Sequence, residues 1–234
     1  MPAFSYSRIL SLSHVIHPAI PRWPGDPAIE FEVVAAIDRE GYYVRRLTIG
    51  EHSATHMNAP NSFFVDGVGI DAYAPASLVV PAIVVDIREQ AAKHPDYRLR
   101  ERDISRWEQQ QGQIPAGCVV LLYTGWQTKW SEPVAFLNLD DQGIPHFPGF
   151  SAEVTQFLLA ERAIAGVGID THGVDGGSDT TFATNRQILA QQGIVLECLT
   201  NLEQLPAIGA QLMIAPLPLQ NGSGSPASVL AFVP

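Results

Sequence analysis

Apolar residues along this chain gather in short continuous runs bounded by glycine and proline, with few helical stripes between them. Runs at 77–86, 118–124, 163–169, 194–197 and 211–216 are rich in β-branched residues and nearly free of charge. That is the mark of strands covered on both faces. The segment 9–16 reads as a further short strand. Segments 30–37 and 42–49 carry the β-branched and aromatic residues of two more, and Asp38-Arg39-Glu40-Gly41 between them predicts an antiparallel hairpin. Helical patterns lie at 101–110, 151–162 and 184–192. Ser151 stands ahead of the second with Glu153 in its first turn, and Gly193 closes the third as a C′ residue. The stretch 18–27 holds too many prolines for a helix. Strands with a few packed helices on a mixed sheet predict an α/β fold in a single domain over 1–234.

At 234 residues and 46% hydrophobic content, the chain can bury one large core. Acidic residues outnumber basic ones 24 to 14, for a net charge of −10, and Arg45-Arg46 is the only adjacent basic pair. A nucleic-acid partner is thereby disfavoured, since phosphate binding needs a clustered basic footprint. No run reaches the roughly 18 apolar residues of a membrane helix. The start lacks a basic region followed by an apolar core, so neither a signal peptide nor a membrane partner is expected. Cys118 and Cys198 sit in apolar runs and read as buried free thiols of a reducing compartment. A soluble cytoplasmic protein acting on a small molecule is the expectation.

Chemistry-bearing side chains concentrate in three places. The densest runs from Glu51 through His52, Thr55, His56 and Asn58 to Ser62, where a predicted strand exits into a loop, a usual position for reactive groups. His52 and His56 are spaced so that two imidazoles can reach one metal ion from a bent chain. Gly50 and Pro60 argue against a helix there. One such pair among seven histidines arises easily by chance; Thr55 and Asn58 strengthen it as groups that could orient imidazoles. In the second place, an apolar strand at 166–169 enters a loop holding Asp170, His172 and Asp175. It reads either as a reactive loop or as a glycine turn whose Asp170 caps backbone amides. Third is Glu197, a carboxylate inside an apolar strand, costly there unless paired, metal-bound or at a solvated end.

These segments together resemble the cyclase family of metal-dependent hydrolases, the kynurenine formamidase-like group that includes arylformamidase and isatin hydrolase. The family hallmark His-x-Gly-Thr-His-x-Asp-x-Pro-x-His meets His52-Ser-Ala54-Thr55-His56-Met-Asn58-Ala-Pro60-Asn-Ser62 here. Trp23-Pro24-Gly25-Asp26, Gly168-Ile-Asp170-Thr171 with Asp175, Gly193-Ile-Val-Leu-Glu197 with Asn201-Leu202, and Pro216-Leu-Pro-Leu with Gly224-Ser225-Pro226 follow in family order. The resemblance implies a swivelling β/β/α fold and a homo-oligomer, a homodimer or homotetramer, and the apolar proline loop near the start also suggests an oligomer. It implies His52, His56 and Glu197 as metal ligands. It places Asn58 where the family has a bridging Asp, Asn185 where it has a later His ligand, and Ser62 where it has a catalytic His. Trp23 would stack on a planar substrate or pin its own loop.

A neutral amide brings no charge to hold two dications together. The set His52, His56 and Glu197 therefore predicts one divalent ion, Zn²⁺ or Mn²⁺, with Fe²⁺ equally suited. Ser62 cannot serve unaided as a base near neutral pH. His172 is the expected acid/base, with a pH limb near ~6.5, and Glu51 or the ion's own water is the fallback. The leading function is hydrolysis of a small amide, cyclic imide or lactone through an activated water. A single-metal lyase, isomerase or cyclase and a non-catalytic ligand binder are the alternatives. Metal analysis, an amidase screen and product identification separate the three.

Overall fold

A computed structural model describes residues 5–234; the chain start, read above as free of a leader, lies partly outside them. The strands are β1 (Arg8–Ser11), β2 (Glu30–Ala35), β3 (Val44–Thr48), β4 (His56–Asn58), β5 (Val79–Asp86), β6 (Arg98–Leu99), β7 (Val119–Tyr123), β8 (Gly149–Phe150), β9 (Gly166–Ile169), β10 (Ile194–Glu197), β11 (Ile208–Pro216) and β12 (Gly224–Val233). The helices are α1 (Ile37–Glu40), α2 (Arg88–Lys93), α3 (Glu101–Gln111), α4 (Pro133–Leu137), α5 (Ala152–Arg162) and α6 (Ala183–Leu189).

One sheet runs β1-β12-β11-β5-β7-β9-β10-β4, and β12 also pairs with β4. The sheet thus closes into a seven-stranded ring, with β1 added on the outer edge of β12. β5, β7, β9 and β10 are parallel, and the remaining pairs are antiparallel. This mixed α/β barrel is the fold class the apolar pattern predicts.

The continuous apolar runs have a simple cause. Alternate residues of β5 point to opposite faces: Val80, Ala82 and Val84 enter the ring with Leu121, Leu196 and Leu212. Ile83 and Val85 lie outside it, with Val120, Val167 and Val195, beneath Ile104, Trp107, Val154, Leu158 and Ile188 of the helices. Both faces are dry, so neither needs a polar residue. Each buried Val, Leu or Ile contributes about 1.5–3 kcal/mol.

Several elements differ from expectation. His56-Met57-Asn58, read as a loop exit, is a strand paired on both sides. Segment 224–233, read only as a closing motif, is the longest strand; its Gly-Ser-Pro start hid the apolar alternation that follows. The turn at 38–41 is part of the one-turn helix α1, ended by Gly41 at φ 78°. α2 and α4 are short helices that no periodicity announced. Ser151 does cap α5, its hydroxyl oxygen accepting from the Val154 amide at 3.2 Å. After α6 the left-handed residue is Gln192, at φ 54°, and not Gly193. Both cysteines are buried and free. No helix among the described residues is long and apolar enough to cross a membrane.

Candidate active site

The site begins with strand register. β4 lies antiparallel to β10, setting Glu197 opposite His56 and Val195 opposite Asn58. Met57 and Leu196 between them point into the ring, so by alternation His56, Asn58 and Glu197 project from its outer face. There α6 brings Asn185 over the same strands, and the loop after β9 brings His172 and Asp175. Ahead of β4, Ala54 takes φ 56°, left-handed backbone that costs a non-glycine residue about 1 kcal/mol. It stands where the motif of the resembled family has glycine, and its carbonyl accepts from His56 Nδ1 at 2.8 Å.

A carbonyl can only accept, so Nδ1 is the donor in that bond, and Nε2 is the ring nitrogen turned toward the cavity. Nε2 stands 3.1 Å from Glu197 Oε2, off hydrogen-bond alignment and with no other partner. Glu197 is held from behind, since its Oε1 accepts from the Val174 amide at 3.0 Å and from Asn185 Nδ2 at 3.3 Å. Burial would raise its pKa. The adjacent His56 imidazole, with the Val174 amide and Asn185, outweighs burial and lowers it to about 2.

The other half of the site is a chain of neutral amides. Asn185 Nδ2 donates to Asp175 Oδ2 at 2.9 Å, and Asn58 Nδ2 donates to Asn185 Oδ1 at 3.0 Å. The carboxylate end fixes the polarity, because only an amide nitrogen can donate to it. Asn58 Oδ1 therefore accepts from His52 Nδ1 at 2.9 Å, and His52 Nε2 meets the Ser223 hydroxyl at 2.9 Å. That hydroxyl has one proton to share between His52 and Glu51 Oε2, 2.6 Å away. Burial foremost, then the charge of His56, lowers the His52 pKa.

The eight residues given metal, catalytic or substrate roles by the resemblance and the loop after β9 line one cavity of about 240 Å³: Trp23, His52, His56, Asn58, Ser62, His172, Asn185 and Glu197. Phe63, Phe147 and Phe182 add aromatic walls. Trp23 meets Phe147 and His172 edge-on, with centroids 6.2 Å and 5.7 Å apart. Ser62 turns its hydroxyl to the Ser223 carbonyl. His172 lines the cavity with Nε2 unpartnered and Nδ1 3.8 Å from Cys198 Sγ.

The expected limb near neutrality is corrected for His172. Burial, then the His56 charge, pushes its pKa down to about 4, so it faces the cavity as a neutral imidazole at pH 7. Asp170 is not part of the cavity. It is fully buried and accepts from the Thr124 amide and hydroxyl at 3.0 and 2.7 Å. Thr55, expected to orient an imidazole, instead bonds the Cys198 carbonyl and the His14 amide. The sequence reading missed Asp26, Asp179 and Ser223 as neighbours of the site. Asp26 alone carried a signal, as the last residue of the Trp-Pro-Gly-Asp turn.

The donor set fits one ion and not two. His56 Nε2 and Glu197 Oε2 are buried 3.1 Å apart without an aligned hydrogen bond, and they are an imidazole nitrogen and a carboxylate oxygen of the kinds that hold a divalent cation. Among the described residues, no three His, Cys, Asp or Glu side chains already converge as ligands. His52 is turned to Asn58 and Ser223, so it could join only by releasing one of those bonds. At a second position the candidate ligands Asn58 and Asn185 are bonded to each other.

Comparison with known proteins places this geometry. The family model described as Putative cyclase matches residues 10–176. The isatin hydrolase of Roseibium aggregatum is 34% identical over 219 residues, covering 89% of this chain and 82% of that protein. The kynurenine formamidase of Erythrobacter litoralis is 28% identical over 225 residues, covering 93% and 90%. Among solved structures, isatin hydrolase A from Labrenzia aggregata bound to benzyl benzoate superposes with a TM-score of 0.91 at 33% identity, covering 97% of this chain and 93% of that one.

Proposed function

The chain belongs to the cyclase family, and on that premise we propose that it is a metal-dependent hydrolase that opens the C–N bond of a small planar cyclic amide of the isatin type. The observation that carries the reading is the buried pair His56 Nε2 and Glu197 Oε2, 3.1 Å apart at the floor of an aromatic-walled cavity. His56 and Glu197, with His52 as third donor, would hold one Zn²⁺ or Mn²⁺ per chain. When bound, such an ion supplies Lewis-acid polarisation of a carbonyl and acidifies water. The protein's own groups do the rest. Ala54 and Val174 fix the two ligands in orientation, and Asn185 braces Glu197. Trp23 and Phe147, packed edge to face, wall one side of the cavity against which a planar ring would lie, and keep water from that face. His172 meets the substrate as a neutral hydrogen-bonding imidazole, and Ser62 shapes the wall without titrating.

The reading is tested by loading the purified protein with Zn²⁺ or Mn²⁺, measuring metal content, and following ring opening of isatin by absorbance. One ion per chain with turnover is expected; absence of turnover with either ion overturns it. A product that has not incorporated the elements of water would support a lyase or isomerase.

We also propose a homo-oligomer, a dimer or tetramer. The ribbon β2–β3 stands apart from the main sheet and exposes Val33, Val34, Tyr42, Tyr43 and Leu47, more apolar surface than a two-stranded ribbon keeps unaided. A monomer at micromolar concentration in sedimentation removes this proposal.

A further inference from the structure

Four carboxylates line the cavity: Asp26, Asp175, Asp179 and Glu197. Three are committed to protein donors. Asp175 accepts from the Thr184 and Asn185 amides at 2.6 and 3.2 Å and from Asn185 Nδ2. Asp179 accepts from the Thr181 amide and hydroxyl at 2.7 and 2.6 Å. Glu197 is held by Val174 and Asn185. Asp26 accepts no hydrogen bond from any described residue, although it is half-buried. A carboxylate with free lone pairs inside a cavity is available to a ligand in a way the others are not.

Local sequence explains why it sits there. Trp23-Pro24-Gly25-Asp26 forms a tight turn in which the Asp26 amide donates to the Trp23 carbonyl at 3.1 Å. Pro24 presets the first corner, and Gly25 takes φ 95° at the second, a conformation that glycine adopts without strain. The turn brings both Asp26 and Trp23, whose indole contacts His172, to the cavity wall. His52, His56 and Arg22 are the cationic or titratable groups that act on it electrostatically. Ser62 is unsuited to proton transfer, because it spends its proton on the Ser223 carbonyl.

We propose that Asp26 is the general base of this site, doing the work that the resembled family gives to a histidine at the position of Ser62. The inference rests on the hydrolase reading above. As water attacks the scissile carbonyl carbon, its oxygen forms the new C–O bond and one of its protons passes to the Asp26 carboxylate. As the C–N bond breaks, its electron pair goes to nitrogen, which takes that proton back from Asp26. Asp26 ends the cycle ionised, and the sum is amide plus water giving carboxylic acid plus amine.

The test uses the full chain loaded with Zn²⁺ or Mn²⁺ and isatin as probe. Asp26→Asn is expected to lower kcat by about 10²-fold or more, with KM within about threefold and metal content unchanged. Because the position closes an exposed turn, folding is followed by Tm. Asp26→Ala provides the second arm: added formate should raise its kcat in a concentration-dependent way, since a small carboxylate can occupy the vacated space. A kcat within threefold of wild type in Asp26→Asn overturns the assignment, as does loss of metal in step with activity or an absence of formate rescue. A wild type that never opens isatin overturns the hydrolase reading, and this inference with it; an active wild type beside an equally active Asp26→Asn overturns this inference alone.

Discussion

The two halves of the cavity differ in how their polar atoms are satisfied. On one side His56 Nε2 and Glu197 Oε2 stand 3.1 Å apart without an aligned hydrogen bond. On the other, His52, Asn58, Asn185 and Asp175 form an unbroken chain of donors and acceptors. Two asparagines, each at a position where the resembled family supplies a charged or nitrogen ligand, turn a second metal position into a closed amide pair. The difference teaches that a substitution can remove a ligand and also fill the vacancy it leaves. Asn58 and Asn185 consume each other's hydrogen-bonding capacity, so no unsatisfied group is left to recruit an ion.

The largest expected effect breaks the open half. His56→Ala removes the one unpartnered nitrogen there and should take metal content from about one ion per chain to below detection, with isatin hydrolysis lost. Glu197→Gln should have the same effect on metal content through loss of charge, while keeping an acceptor for the Val174 amide. Metal analysis after dialysis checks both, and retention of the ion by either variant would show that the opposed pair is not the site.

The next effect breaks the closed half. In Asn58→Asp with Asn185→His, the amide pair is gone and a carboxylate and an imidazole face the cavity, so metal content should rise from one ion toward two. If it stays at one, the amide chain is not what limits the stoichiometry. Asn185→Ala alone should weaken metal binding about tenfold, a magnitude usual for a group that orients a ligand, because Glu197 loses its brace and Asn58 its acceptor.

These contrasts also mark what the sequence made legible. The apolar runs of β5, β7 and β9 announced strands because both faces of each are dry. β4 did not announce itself: in three residues, His56 and Asn58 serve the site and only Met57 serves the core. The start of β12 was hidden in the same way by Gly224 and Pro226. Among site residues, ligand-type side chains in motif order were visible, but hydrogen-bond accounting was not. That Asp26 is free while Asp175 is spent depends on Thr184 and Asn185 arriving on α6 from across the cavity. That His172 is neutral depends on its burial against Trp23, Phe136 and Cys198, and spacing along the chain carries no record of desolvation.

The smallest expected effect concerns stability in the metal-free protein and sets the open half against the scaffold. Glu197 and Asp170 are both buried carboxylates, pushed in opposite directions. Burial raises Asp170 from 3.8 to about 6, against the bonds from Thr124 and Gln127 that favour its ionised form. A raised carboxyl favours folding fully below its unfolded pKa, and that advantage is lost as pH rises through about 6. Glu197 is lowered to about 2, so its contribution is complete above about 4.5 and lost as pH falls toward 2. The Tm gap between wild type and Asp170→Asn should therefore shrink from pH 4 to pH 7, by roughly 5–10 °C if the ionisation costs about 2–3 kcal/mol. The gap for Glu197→Gln should stay level from pH 7 to about 5 and shrink only in more acid solution. Thermal scans across that range in chelator decide it. Parallel trends in the two variants would mean that the Val174 amide, Asn185 and His56 do not hold Glu197 ionised, and that the open half of the site is less polarised than its geometry requires.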